Sequence, residues 1–302
     1  TLNKDQLKAL HELKSGANVF LTGGAGTGKT FLLHYFLDLP ENKKKNVIVC
    51  APTGVAAINA GGATLHRTFK IPVAALKPLE CLGDISDEIK SAQIIIIDEI
   101  SMCRIDVFQF VMRQIIEAES KSGVHKQIIL IGDFYQLPPV VTSKKKPGER
   151  YSDKDVLIEN YGKVAESGFP FLSPTWKLLG FKTLLLDEIV RQKDHSFSAA
   201  LNQIRSGDAT GLNYINQHFG QKRNPKAIVL TATNKEAERI NNEQLNKINE
   251  KVKEYDAIIN GEPIKPSDMP VSNILRLKVG ARVMSLVNDN SHDISHYSNG
   301  SL

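Results

Sequence analysis

The strongest constraint on the fold of this chain is a glycine-rich run at residues 23–30, which reads Gly-Gly-Ala-Gly-Thr-Gly-Lys-Thr. An apolar run at 19–21 precedes it and a helix-like apolar run at 31–36 follows, which is the context of a phosphate-binding loop. Glycines allow a tight turn whose backbone N–H groups point at anionic oxygens, and the following helix adds partial positive charge. The run therefore predicts a nucleotide phosphate site at Gly24, Ala25, Gly26, Thr27 and Gly28.

The last two residues of the run have roles of their own in such loops. The Lys29 ammonium can reach the β- and γ-phosphates, and the Thr30 hydroxyl can hold Mg²⁺. A second signal follows at residues 94–97, where four isoleucines predict a strand buried on both faces and end at Asp98 and Glu99. Alone, this acid pair fits a solvated strand end equally well. Together with the loop, it predicts that Asp98 holds Mg²⁺, directly or through water, and that Glu99 activates the attacking water.

Composition sets broad limits on the chain. Its 302 residues are enough for two domains, and 41% hydrophobic with 24% charged residues describes a globular protein. The net charge of +5 is compatible with a nucleic-acid partner. No apolar run approaches the roughly 20 residues of a membrane span, so we expect no membrane partner. The three cysteines, Cys50, Cys81 and Cys103, lie far apart without ligand-like spacing, which suggests a reducing compartment and an intracellular protein.

Apolar runs alternate with helix-period segments, which indicates a doubly wound α/β fold. One helical face is predicted over 105–118, a small insertion over 67–90, and a long polar surface loop over 142–168. A second βα series begins near 182, so the predicted domain boundary lies there, and turns with short apolar runs predict a β-rich segment at 251–302. The predicted strands are 19–21, 47–51, 94–97, 128–131, 183–186 and 227–231.

Two further segments carry polar residues at strand ends. Thr53 follows the second strand and could contact a polymer backbone, but its spacing favours a helix cap. Gln136 follows the fourth strand and could sense a γ-phosphate or orient water, although two prolines after it also fit a simple turn.

At this point the chain resembles the petite-integration-frequency (Pif) family of DNA helicases, in the RecD-like branch of superfamily one. The segments that carry the resemblance are GGAGTGKT at 23–30, APTGVAAINAGGATLHRTF at 51–69, IIIIDEISM at 94–102, GDFYQLPPV at 132–140, LDEIVRQ at 186–192, TATNKEAERIN at 231–241, LKVGARVM at 277–284 and NGSL at 299–302.

The resemblance implies two RecA-like P-loop domains with parallel sheets, at 1–181 and 182–302. By the same resemblance, the insertion at 67–90 would be a wedge subdomain within the first domain. The resemblance further implies a monomeric enzyme that hydrolyses ATP with Mg²⁺. Such an enzyme moves 5′-to-3′ on single-stranded DNA by opening and closing the cleft between its two domains. Forked or tailed duplexes would be substrates, in a bacterial cytoplasm or in a nucleus or mitochondrion, with roles in DNA repair, recombination and telomere maintenance. The family continues into an SH3-like module and a last motif that this sequence lacks, so we expect a C-terminally truncated form.

The resemblance also implies roles for individual positions. Gln6 resembles the residue that reads adenine, although its spacing from Asn3 also fits a capping box. Gln136 resembles the γ-phosphate sensor, and Arg191 resembles an arginine finger. Contacts with DNA are implied for Thr53, Thr64, His66, Asn234 and, at the duplex junction, Phe69.

Three other classes of protein share parts of this pattern. A signalling GTPase needs an aspartate where the segment at 234–237 has Ala237. An ATP-dependent loader or DNA-binding switch shares the loop and the acid pair but gives no reason for the segment at 51–66. An inactive scaffold would not need Lys29, Thr30 and both acids.

Overall fold

The computed structural model of the chain describes residues 2–72, 74–145, 150–190, 194–219, 227–258 and 273–284. Two compact units, Thr1–Gln221 and Lys222–Leu302, make up the chain. The strands are β1 (Val19–Gly23), β2 (Val47–Ala51), β3 (Ala63–Thr64), β4 (Ile94–Ile97), β5 (Gln127–Gly132), β6 (Lys182–Leu186), β7 (Lys253–Asp256) and β8 (Ile274–Leu277). The helices are α1 (Lys4–Lys14), α2 (Lys29–Leu37), α3 (Gly54–Ala60), α4 (Leu65–Thr68), α5 (Asp87–Ser91), α6 (Ile105–Ser122), α7 (Asp153–Tyr161), α8 (Pro174–Leu178), α9 (His195–Arg205), α10 (Ala209–Phe219) and α11 (Asn234–Lys247).

The first unit is built on one parallel sheet of six strands in the order β3-β2-β4-β5-β1-β6. Strand β4 shows why four isoleucines suit its centre. Ile94 and Ile96 pack with α1 and α2 on one face, whereas Ile95 and Ile97 pack with α6 on the other. Both faces are therefore buried, as in other parallel sheets. The predicted α/β class is confirmed.

Parallel strands place the residues that follow them at one edge of the sheet. The phosphate loop follows β1, Asp98 follows β4, and Asp133 follows β5, which lies between those two strands. Local signals set the boundaries of the neighbouring helices. Helix α1 begins with a capping box between Asn3 and Gln6, and α6 ends at Gly123 in the left-handed conformation.

Strand β6 pairs in parallel with β1, from Val19–Lys182 to Gly23–Leu186. The domain boundary predicted at 182 therefore lies inside the first unit, at the first residue of its edge strand. An apolar run predicts a strand but does not indicate which sheet the strand joins. The division into two RecA-like domains stays a prediction.

The predicted surface loop at 142–168 is wrong for its second half. Residues 153–161 form α7, and a 3-10 helix follows at Lys163–Ser167. Leu157 and Ala165 are buried against Ile105. The signal was present in the sequence, because Ser152 and Asp155 form a capping box at the start of α7.

The insertion is bonded to one face of α6. The Gln114 side chain donates to the carbonyls of Phe69 and Leu82, and Arg113 donates to those of Pro78 and Glu80. Side chains of α6 thus hold a segment that has no regular elements between Thr68 and Asp87 among its described residues.

The second unit, in its described part, contains α11 and the antiparallel pair β7–β8. The predicted strand at 227–231 is absent from this part, and Leu230 is exposed. The β-rich prediction is met at β7 and β8, and much of 251–302, including 299–302, lies outside the described residues. Within the described ranges, no helix combines the length and apolar character needed to cross a membrane.

Candidate nucleotide site and nucleic-acid groove

The phosphate loop joins β1 to α2 through two glycines whose conformations a side chain would not tolerate. Gly28 caps α2 at φ 85°, and a Cβ there would lie 2.5 Å from Gln6 Nε2. A Cβ on Gly23 would lie 2.3 Å from the Leu186 carbonyl oxygen on β6. Glycine is therefore required both by backbone conformation and by close packing around the loop.

Lys29 lies folded against its own loop. Its Nζ donates to the carbonyl oxygens of Gly23 at 2.8 Å and Gly24 at 3.0 Å. Burial lowers the pKa of the ammonium, and the nearby carboxylates of Asp133 and Glu99 partly oppose this. The charge is thus partly desolvated at the mouth of the loop, where an anion would interact with it strongly.

The acid pair sits at the end of β4. Asp98 is buried, and its Oδ1 accepts the N–H of Glu99 at 2.8 Å. Glu99 is half-buried and has a φ of 50°, which is unusual for a residue with a side chain. Burial raises the pKa of both carboxyls, and the charge of Asp98 raises that of Glu99 further.

Gln6 links the first helix to the loop. Its backbone N–H and side-chain oxygen complete the capping box with Asn3, and its Nε2 donates to the Thr27 carbonyl at 3.3 Å. The capping alternative is therefore present in the structure. The same side chain is also buried directly against the phosphate loop.

Asp133, at the end of β5, organises a further set of contacts. It is 1% exposed and accepts hydrogen bonds from the Gln136 side chain, the Tyr135 backbone N–H, and Nε and Nη2 of the Arg205 guanidinium. The charge of Asp133 acts on Lys29, so this cluster and the phosphate loop share one electrostatic environment.

A groove with a volume of about 260 Å³ lies beside the end of β2. His66 lies on its wall, and burial together with the Arg104 charge lowers the pKa of that imidazole. The residues that line the groove include Pro52, Thr53, Leu65, His66, Met102 and Arg104.

Two threonines near this groove cap short helices. The Thr53 hydroxyl accepts the Ala56 N–H at 3.3 Å, and the Thr64 hydroxyl accepts the Arg67 N–H at 3.3 Å. The predicted cap at Thr53 is confirmed. A hydroxyl that accepts such a bond still has its own proton to donate, so capping does not exclude a contact with a ligand.

Arg104 lines the groove with a side chain that is 15% exposed. Its guanidinium makes a two-pronged pair with Asp106, at 2.7 and 2.8 Å, and a third contact with Asp153 at 3.0 Å. It also donates to the Ala74 carbonyl, while Asp106 accepts the Leu76 N–H. One cation therefore ties together the insertion, α6 and α7.

Comparison with known proteins assigns the family. A sequence profile of PIF1-like helicases matches residues 1–213. The chain belongs to the PIF1-like helicase family.

The relatives and solved structures extend this similarity beyond the profile. The ATP-dependent DNA helicase PIF1 of Candida albicans is 33% identical over 309 residues, covering 95% of this chain and 33% of that protein. The Pif1 of Bdellovibrio bacteriovorus is 30% identical, over 95% of this chain and 64% of its own length. Bacteroides Pif1 bound to single-stranded DNA has 34% identity and a TM-score of 0.78, over 99% of this chain and 68% of that one. The chain thus spans a third to two thirds of these two curated relatives.

Within this PIF1-like fold, the structure brings most predicted nucleotide-site residues to one sheet edge. The phosphate loop, the acid pair, Gln6 and Gln136 all lie there. Arg191 lies outside the described residues, although Val190 just before it donates its N–H to the Gly26 carbonyl at 2.9 Å.

The predicted DNA contacts are more dispersed. Thr53, Thr64 and His66 lie at or near the groove, whereas Asn234 is an exposed residue of α11 in the second unit. Phe69 needs correction, because its ring is 1% exposed and belongs to the hydrophobic core. The aromatic ring follows a helix of only one turn, and the sequence did not reveal that α6 covers it.

Sequence reasoning missed Arg205, Asp133 and Arg104. Asp133 lies inside the segment GDFYQLPPV, so its position after a buried strand was an available signal. Arg205 ends an ordinary amphipathic helix, and Arg104 lies between an irregular segment and a helix. Neither arginine carries a local signal.

Proposed function

We propose that this chain is the ATP-hydrolysing part of a DNA helicase that acts as a monomer and moves 5′-to-3′ on single-stranded DNA. The observation that carries the proposal is the meeting of the phosphate loop, Lys29, Asp98 and Glu99 at one edge of a parallel sheet. The direction of movement and its coupling to domain closure rest on the family resemblance.

In the nucleotide-bound state, Lys29 exchanges its carbonyl partners for β- and γ-phosphate oxygens. Gly24, Ala25, Gly26, Thr27 and Gly28 surround the phosphates with backbone N–H groups.

Magnesium fits the residues beside the loop. The described residues contain no group of three or more His, Cys, Asp or Glu that could hold a metal. Mg²⁺ in a nucleotide site takes one or two protein oxygens and fills its shell with phosphates and water. Thr30 and Asp98 would supply those oxygens, and the ion would neutralise charge on the phosphates.

Three side chains act on hydrolysis in this proposal. Glu99 takes a proton from the attacking water, and its raised pKa makes it a better base than an exposed glutamate. Gln136 orients that water or senses the γ-phosphate, and Arg191 adds positive charge where negative charge develops.

In this proposal, Gln6 reads the adenine edge with the hydrogen-bonding groups of its carboxamide that the contacts with Asn3 and Thr27 leave unused. A carboxamide has two N–H donors and an oxygen with two lone pairs. The contacts with Asn3 and Thr27 use one donor and one lone pair of Gln6. The remaining donor and lone pair match the acceptor and donor on an adenine edge.

Single-stranded DNA is proposed to follow the groove, with its phosphates near Thr53, Thr64 and His66 and a further contact at Asn234. Backbone contacts of this kind weaken with salt and show little sequence preference. The solved Bacteroides Pif1 complex with single-stranded DNA supports a DNA partner for the family fold.

The deciding experiment is ATP hydrolysis by the intact protein, titrated with single-stranded and with double-stranded DNA. We expect single strands to stimulate turnover much more strongly. Unwinding is then measured on duplexes tailed at either end, and we expect only the 5′-tailed duplex to be opened, at a rate linear in protein concentration. Stimulated turnover without unwinding would indicate an ATP-dependent loader or switch. A lack of turnover with either DNA would refute the proposal.

His66 gives a prediction about pH. Its pKa is lowered in the free protein, and neighbouring phosphates would favour the protonated imidazole. DNA binding would then take up a proton, so affinity for single-stranded DNA should rise as the pH falls from about 7.5 to 6, around the ordinary histidine range.

The measurement is a fluorescence-anisotropy titration of an oligonucleotide at several pH values and constant salt, without nucleotide. His66→Gln should remove most of the slope, whereas His125→Gln, at an exposed histidine paired with Glu119, should leave it intact. An unchanged slope in His66→Gln would place the DNA elsewhere.

A further inference from the structure

Asp133 is a buried carboxylate whose hydrogen bonds come from groups around the nucleotide site. Its Oδ1 accepts the Tyr135 N–H at 3.1 Å and Arg205 Nη2 at 3.0 Å. Its Oδ2 accepts Gln136 Nε2 at 3.0 Å and Arg205 Nε at 3.1 Å. Although burial acts in the opposite direction, these hydrogen bonds hold the pKa of Asp133 below its usual value. The carboxylate is therefore ionised and can only accept hydrogen bonds.

Arg205 reaches this carboxylate from the last turn of α9. Its guanidinium lies 4.5 Å from the centre of the Tyr135 ring, and its side chain is 27% exposed. A Cβ built on Gly24 would lie 3.9 Å from Arg205 Cδ, so the side chain also passes beside the phosphate loop. The two-pronged geometry and the ring contact both limit the movement of the guanidinium.

The contact with Asp133 determines how Gln136 presents its carboxamide. An ionised carboxylate accepts only a donor, so the amide nitrogen of Gln136 must face Asp133. The amide oxygen then faces away from Asp133, on an exposed side chain whose partner Asp133 acts electrostatically on Lys29 of the phosphate loop. Orienting an attacking water requires an acceptor of this kind, which takes a hydrogen bond from the water.

We propose that Arg205 is a positioning residue for ATP hydrolysis: by fixing Asp133, it holds the Gln136 carboxamide with its oxygen turned outward, where it can accept a hydrogen bond from the attacking water. This inference rests on the proposed function and adds a residue to it. In this role Arg205 acts through Asp133 and not through a contact of its own with the reacting atoms.

Two other roles for the same pair make different predictions. A purely structural ion pair would change stability and leave the effect of Gln136 on hydrolysis untouched. A direct contact of Arg205 with the phosphates would change nucleotide affinity, and its effect would add to the loss of Gln136.

The test compares Arg205→Gln, Arg205→Lys, Gln136→Ala and the Arg205→Gln/Gln136→Ala double variant in the intact protein, with saturating single-stranded DNA. We expect Arg205→Gln to lower kcat about 10- to 100-fold, as other outer-shell partners do, with KM for ATP nearly unchanged. Arg205→Lys should recover part of the loss. The double variant should be no slower than Gln136→Ala alone, because both changes remove the same oriented amide.

Arg150→Gln is the matched control, because Arg150 also lies over a tyrosine ring, 5.6 Å from the centre of Tyr151, and has no part in this cluster. Thermal unfolding of every variant checks the fold, and Arg205→Lys retains a charge if Arg205→Gln unfolds. The inference is overturned if wild-type protein hydrolyses ATP and Arg205→Gln does so equally well, if the two losses multiply in the double variant, or if only KM changes. Failure of the wild type to hydrolyse ATP would overturn the proposed function as well.

Discussion

A Lys29→Ala variant is expected to lose ATP hydrolysis, with kcat lowered by roughly 10³-fold, similar to the loss of a central charge-stabilising donor in other enzymes. The reason lies in the loop itself. The partly desolvated Lys29 ammonium donates to the carbonyls of Gly23 and Gly24, and an arriving phosphate can replace these neutral partners. Alanine would leave the charge on the transferring phosphoryl group without this cation.

DNA affinity in the absence of nucleotide should be unchanged in Lys29→Ala, because the groove that is proposed to hold DNA does not include Lys29. Steady-state ATPase assays and anisotropy titrations measure the two properties separately. Lys43→Ala is a suitable control, because Lys43 forms an exposed pair with Asp38. Wild-type turnover in Lys29→Ala would refute the assignment of the phosphate loop.

An Arg104→Ala variant should lower the free energy of unfolding of the first unit by about 3–5 kcal/mol, the usual result of removing one partner from a buried ion pair. The side chains of Asp106 and Asp153 are 0% and 8% exposed and would lose their shared cation. For a unit of this size, such a loss corresponds to a fall in Tm of roughly 6–20 °C.

Thermal and urea unfolding measure this loss. Arg104→Lys should lose less, since it keeps the charge without the two-pronged geometry. Lys121→Ala, which removes an exposed pair with Glu117, should cost only about 0.3–0.5 kcal/mol. If Arg104→Ala unfolds like the wild type, the carboxylates have found other partners and the account of this network is wrong.

The centre of the first unit could be predicted from the sequence because the patterns that indicate its strands and its phosphate loop each lie within a short stretch of residues. Isoleucine runs mark buried parallel strands, and the glycine-rich run needs only its flanking strand and helix to identify it. Since parallel strands end at a shared edge, the alternation of strands and helices was enough to predict that Asp98 and Glu99 face the same edge of the sheet as the phosphate loop.

Other features depend on contacts between distant segments, which local patterns do not encode. The apolar pattern of β6 predicts a strand, but only its pairing with β1 shows that the strand belongs to the first unit. Phe69 becomes a core residue because α6 lies over it. Arg205 meets Asp133 across 72 positions of sequence. Spacing rules that operate over a few residues cannot anticipate such a pair.

The bonding of Gln6 has a practical consequence for anyone who shortens or tags this protein. Asn3 supports the glutamine from the start of α1, and the glutamine in turn supports the loop through Thr27. Recombinant versions that begin after Asn3, or that place a bulky fusion partner there, would remove or disturb the hydrogen bonds by which Asn3 holds the Gln6 side chain. On the proposed role of Gln6 in reading adenine, preference among nucleotide bases has to be compared between proteins with the same first residue.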